Sequence, residues 1–153
     1  MKRAADTLPR LVAMLPVFLA ACGGQVGPAG LDTRNDTCRF CRMTVSDARF
    51  SAQLVSPGEE PRFFDDIGCL QQYLRQNGVQ RGGTVAYVAD HRTRAWVRAD
   101  QAAYTRVARL ETPMSSHLIA HADAASRDAD KDSAGGVSVS ATDIFGPGGP
   151  PGR

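Results

Sequence analysis

The sulfur atoms of this chain are unevenly placed. Cys38 and Cys41 share one short segment with a thioether, Cys38-Arg39-Phe40-Cys41-Arg42-Met43. Cys69 lies downstream at the start of a helical pattern, and Met114 stands in the otherwise polar Thr112-Pro113-Met114-Ser115-Ser116-His117. A thioether is neutral at every pH, a poor donor to Zn²⁺ and a good one to Cu(I), so a site mixing Cys and Met favours reduced copper. Neutral ligands also release an ion more readily than a cage of thiolates, which suits transfer. The candidate ligands are therefore Cys38, Cys41, Met43, Cys69 and Met114, with His117 as a further donor or a surface residue.

Other chemistries use the same Cys-x-x-Cys. A thiol-disulfide oxidoreductase would carry the pair at a helix N-terminus after an apolar strand, where the dipole lowers the nucleophile's pKa. Here Arg42-Met43-Thr44-Val45 reads as extended, and no apolar strand precedes the pair. A zinc-stabilised binding module would need four closed ligands, which the three thiols and one histidine can supply. Both alternatives stay open at this stage. No Ser/His/Asp set, spaced carboxylate pair or phosphate loop is visible, so the sequence points to a carrier rather than an enzyme.

The N-terminus reads as a secretory leader. Lys2, Arg3 and Arg10 precede an apolar run over 11–20 that is short for a bilayer span. Leu19-Ala20-Ala21-Cys22 follows, resembling the lipobox of bacterial lipoproteins, in which Cys22 would carry lipid. Residues 1–21 are thus expected to be a signal peptide, and the product a periplasmic protein anchored to a membrane. The formal charge of +2 belongs to that leader, because the remainder has 15 basic and 15 acidic residues. A neutral body offers no electrostatic footprint for nucleic acid. With Cys22 lipidated, three thiols remain in an oxidising compartment, so at least one must stay unpaired or bind something.

Several elements must position these sulfurs. Residues 22–36 are rich in Gly, Pro and small polar side chains and read as a flexible tether. A strand over 49–55, a turn at Ser56-Pro57-Gly58-Glu59-Glu60-Pro61 and a strand from Arg62 form a hairpin. Asp65 and Asp66 then begin a helix, one as its cap, both held behind the ligands rather than among them, since carboxylates suit Cu(I) poorly. Ile67, Leu70 and Leu74 form the apolar stripe; Cys69 borders it in the first turn, where the helix dipole would lower its pKa. Asn77-Gly78 ends the helix.

Strands follow over 84–89 and 95–97, with His91 exposed in the polar turn between them. Residues 100–104 suggest a short helix and 107–111 an extended segment. Leu118-Ile119-Ala120 and Val137-Ser138-Val139 read as strands flanking a small Ala/Asp-rich stretch. The pattern predicts an α+β fold of two small tandem β-β-α-β units over 37–145, then a disordered tail over 146–153. His121, beyond the third of these strands, is ambiguous between ligand and surface residue.

The chain resembles the NosL family of lipoproteins, copper chaperones for nitrous oxide reductase. The likeness rests on Cys38-x-x-Cys41-x-Met43, Phe64-Asp65-Asp66-Ile67-Gly68-Cys69, Tyr87-Val88-Ala89-Asp90 with Trp96 and Ala99 beyond, and Thr112-Pro113-Met114. The resemblance implies two related β-β-α-β units, a Cu(I) site, and delivery of copper to periplasmic nitrous oxide reductase with an ABC-transporter complex as local partner. Two departures stand out. The family usually has Gly at the place of Arg42, and a Gly-rich segment where this chain has Ser115-Ser116-His117.

Overall fold

The computed structural model describes residues 26–78 and 82–152. The expected signal peptide, residues 1–21, and Cys22, the expected lipid attachment site, lie outside the described residues. Two antiparallel sheets organise the chain. The first has the order β2-β1-β3-β4, with β1 Ala52–Val55, β2 Arg62–Phe64, β3 Val85–Ala89 and β4 Trp96–Arg98. The second has the order β6-β5-β7, with β5 Ala103–Arg106, β6 Leu118–His121 and β7 Val137–Val139. Helix α1, Ile67–Asn77, joins β2 to β3, and α2, Ala124–Asp128, joins β6 to β7. In both sheets the first strand of the unit lies between the second and the third, so the tandem β-β-α-β pattern is realised twice. A short helix α3, Ala141–Phe145, closes the second unit.

The core forms where the apolar faces of α1 and the sheets meet. Ile67, Leu70 and Leu74 are buried, as their spacing requires, and pack with Leu54, Phe64, Ala86, Val88 and Tyr104. Burying such a side chain contributes about 1.5–3 kcal/mol. The helix starts and stops as its residues dictate: the Asp66 carboxylate accepts from the Gly68 N–H, and Gly78 takes φ 70° at the C-terminus.

Several expectations are corrected. Residues 49–50 fall in a 3-10 turn, Ala48–Phe50, capped by Asp47, and the strand begins at Ala52. β1 is buried on both faces, because residues 26–31 cover the face that alternation left for solvent. There the Gln53 amide, fully buried, accepts from the Ala29 N–H at 2.8 Å and donates to the Ala29 C=O at 3.2 Å. The Tyr87 hydroxyl donates to the Val26 C=O at 2.6 Å. Residues 26–36 are therefore part of the domain, with Asp32 and Asp36 fixing a turn.

The tail also packs. The Ala86 N–H donates to the Pro151 C=O at 2.7 Å, while the Ala86 C=O accepts from Ala99. Pro150 to Gly152 are buried, and Gly152 lies so close to Asp100 that a Cβ would meet its carboxyl at 2.8 Å. Finally, residues 103–106 form a central strand where a short helix was expected. Tyr104 pairs with Ala120 on one side and Val139 on the other, and this pairing overrides the helix preference of the preceding alanines.

Candidate metal centre

Two segments build the centre. The first is a tight loop closed by the Cys38 N–H donating to the Met43 C=O at 2.7 Å and by a bridge between Thr37 and Thr44. The loop docks on β2 through the Arg39 N–H, which donates to the Phe63 C=O at 2.7 Å. The second is the corner at the end of β2, where Phe64 leads into Asp65, the capping Asp66, and Cys69 one turn into α1. Docking loop against corner gathers Cys38, Cys41, Cys69 and Asp65, whose donor atoms all lie within 4.8 Å of one another.

All three thiols are free. Cys38 and Cys69 are buried, and Cys41 is half-buried. The Cys41 Sγ lies 3.4 and 3.5 Å from the two Asp65 oxygens. Asp65 thus sits within the donor group, while Asp66 alone caps the helix. A hydrogen bond from Cys69 outweighs burial and draws the Cys38 thiol down to about 6. The same hydrogen bond, with burial, pushes Cys69 well above the ordinary thiol range. Burial likewise raises Cys41, to about 11. The helix-dipole expectation for Cys69 is therefore reversed, because its proton is held between two sulfurs. At neutral pH the metal-free group presents one thiolate, Cys38.

Asp66 ties in the methionine segment. Its Oδ2 accepts from the Thr112 hydroxyl at 2.6 Å and from the Met114 N–H at 3.0 Å, and Thr112 Oγ1 in turn accepts from the Ser116 and His117 N–H groups. The loop after β5 is thereby fixed beside the corner that carries Cys69. Both Met43 and Met114 are exposed, at 58% and 42%, so neither fills a gap in the core. His117 is outside the gathered group; its Nδ1 lies 2.8 Å from the Leu110 C=O.

The backbone explains why the departures at Arg42 and after Thr112-Pro113-Met114 are notable. Arg42, Ser115 and His117 have φ of 69°, 54° and 58°, the left-handed region that glycine enters without cost. Gly68 is needed for a different reason: a Cβ there would meet the Ser116 Cβ at 2.8 Å.

A second group was not found from sequence. His91, expected in solvent, is 2% exposed, and His121 is fully buried; both face Asp130. His91 lies 30 and 39 residues before His121 and Asp130, so no local motif links it to them, and only the meeting of the two units brings it to the pair.

The sequence model of the NosL family matches residues 31–146. No curated protein and no solved structure matches the chain.

Proposed function

The chain belongs to the NosL family, and from that membership and its gathered thiols we propose a lipid-anchored periplasmic Cu(I) chaperone that delivers copper for nitrous oxide reductase maturation. Its local partner in this reading is an ABC-transporter complex. The observation that carries the proposal is the convergence of Cys38, Cys41 and Cys69 on one point, with two exposed methionines on the segments that frame it. NosL is a family of copper-binding accessory proteins, and a set of three sulfurs suits a soft monovalent ion.

Loading would begin at the Cys38 thiolate and displace protons from the other thiols it recruits. Met43 and Met114, neutral and exposed, would take the ion at the surface and hand it on. Asp66 acts through Met114 by holding its backbone. The leader and Cys22 supply the anchor in this proposal, and no helix among the described residues is long and apolar enough to cross a membrane.

Titration of the purified chain with Cu(I), under reducing conditions against a chromophoric competitor, tests the proposal. Binding tighter than micromolar, weakened by Met43→Ala with Met114→Ala, is the expected result. Micromolar or weaker binding, or indifference to both substitutions, defeats it. The depressed pKa of Cys38 favours one second reading, a thiol-disulfide oxidoreductase using Cys38 and Cys41. An insulin-reduction assay separates the two, since a carrier shows no turnover.

A further inference from the structure

We propose that His91, His121 and Asp130 form a second metal site, made for a divalent cation of borderline softness such as Zn²⁺ or Cu²⁺. The three come from different parts of the chain. His91 follows β3 of the first unit, His121 ends β6, and Asp130 lies just past α2 as the cap of the 3-10 turn Lys131–Ser133. Their donor atoms lie within 4.8 Å of one another.

Both imidazoles converge on a single carboxylate oxygen. His91 Nδ1 is 2.7 Å and His121 Nε2 2.9 Å from Asp130 Oδ2, while Asp130 Oδ1 accepts from the Asp132 N–H. The other ring nitrogens, His91 Nε2 and His121 Nδ1, are buried and have no hydrogen-bond partner among the described residues. The polar contacts of the two rings are thus directed to one place. Two imidazoles and one carboxylate thus present three donor atoms to one point, the donor set and spacing that a metal ion completes.

Nearby charges do not take the cation's place. The Arg49 guanidinium is engaged by Asp47 at 2.8 Å and reaches Asp132 at 3.9 Å. Asp90 is not a competing ligand, because the Arg92, Thr93 and Ala122 N–H groups and the Ser126 hydroxyl occupy its oxygens. Two nitrogens and one carboxylate oxygen suit Zn²⁺ or Cu²⁺, whereas the thiol group suits Cu(I). The two sites would thus sort copper by oxidation state. A bound ion would also clamp the units together, because His91 belongs to one and the other two ligands to the next.

The test uses Zn²⁺ and Co²⁺ on the purified full-length chain with Cys22, Cys38, Cys41 and Cys69 replaced by serine. One equivalent is expected to bind. Zn²⁺ at a hundredfold excess over Kd should raise Tm by about 5 °C or more. His121→Gln and His91→Gln should each weaken binding at least tenfold. If the cysteine-free chain does not fold, Co²⁺ is added to the parent chain. The spectrum lost in His121→Gln should then lack thiolate charge-transfer bands. An unchanged Tm, Zn²⁺ binding weaker than about 100 µM, or binding that survives both histidine substitutions overturns the proposal. It would leave the cluster a His-Asp-His hydrogen-bonded joint. Neither result bears on Cu(I) binding by the thiols, so the two proposals stand or fall separately.

Discussion

The chain builds the same corner twice and gives it different chemistry. At the end of β2, Phe64-Asp65-Asp66-Ile67-Gly68-Cys69 turns into α1 with Asp66 as cap; at the end of β6, His121-Ala122-Asp123-Ala124-Ala125-Ser126 turns into α2 with Asp123 as cap. Three residues past each cap stands Cys69 in one corner and Ser126 in the other. Cys69 faces Cys38 and Cys41 with its donor atom within 4.8 Å of theirs, whereas the Ser126 hydroxyl donates to Asp90 at 2.7 Å. A capped strand-to-helix corner is thus a scaffold indifferent to its payload. The residue at the third position decides whether the corner joins the thiol group proposed to hold copper or braces the other unit.

The sharpest way to break this comparison is to make the first corner like the second. Cys69→Ser should leave the fold intact, as judged by circular dichroism, and weaken Cu(I) at least a hundredfold in competitor titrations. The reverse change, Ser126→Cys, should create no Cu(I) site, because no other thiol faces it among the described residues.

The proton on Cys69 gives the next largest effect. Cys38, depressed to about 6, is already a thiolate at pH 7, whereas Cys69 is raised and must lose its proton to ligate. Affinity should therefore rise with pH, by about tenfold per unit for each protonated thiol recruited. Below about pH 6 the protonation of Cys38 adds a further tenfold per unit. An affinity flat from pH 6 to 8 would mean that Cys69 is not a ligand.

Effects on stability are smaller and should differ between the corners. Asp66→Ala removes a cap and also strands the Thr112 hydroxyl and the Met114 N–H, so a loss of about 2–4 kcal/mol by urea denaturation is expected, with weaker Cu(I) binding. Asp123→Ala removes a cap alone, should cost about 0.5–2 kcal/mol, and should leave copper untouched. Gly68→Ala should destabilise the chain by about 1 kcal/mol or more against the helix preference for alanine, because Ser116 blocks the Cβ. The matching position in the other corner is already Ala125. Smallest of all, Arg42→Gly should stabilise by about 0.5–1 kcal/mol by relieving φ 69°.

What was legible in the sequence follows the range of each signal. The cap, stripe and stop of α1 are local, and so is the loop from Cys38 to Met43; both could be read from spacing. The β-β-α-β order of the first unit was legible because that unit pairs its own strands, whereas the second unit opens with the strand Ala103–Arg106, where a short helix and then an extended 107–111 were expected. Contacts over long separations were not. Gln53 looks like an outward strand residue until Ala29 packs over it, and the Gly/Pro tail looks unstructured until Pro151 finds the free N–H of Ala86. His91 looks like a turn residue because its partners lie 30 to 39 positions away on another unit. Arg42 was visible as a departure, but its left-handed backbone was not.

Copper K-edge absorption of the Cu(I)-loaded chain, compared with Cys69→Ser, tests the central claim most directly. A sulfur-only shell in the parent that loses one sulfur in the variant is predicted. A shell dominated by nitrogen or oxygen, or one unchanged by Cys69→Ser, would contradict it.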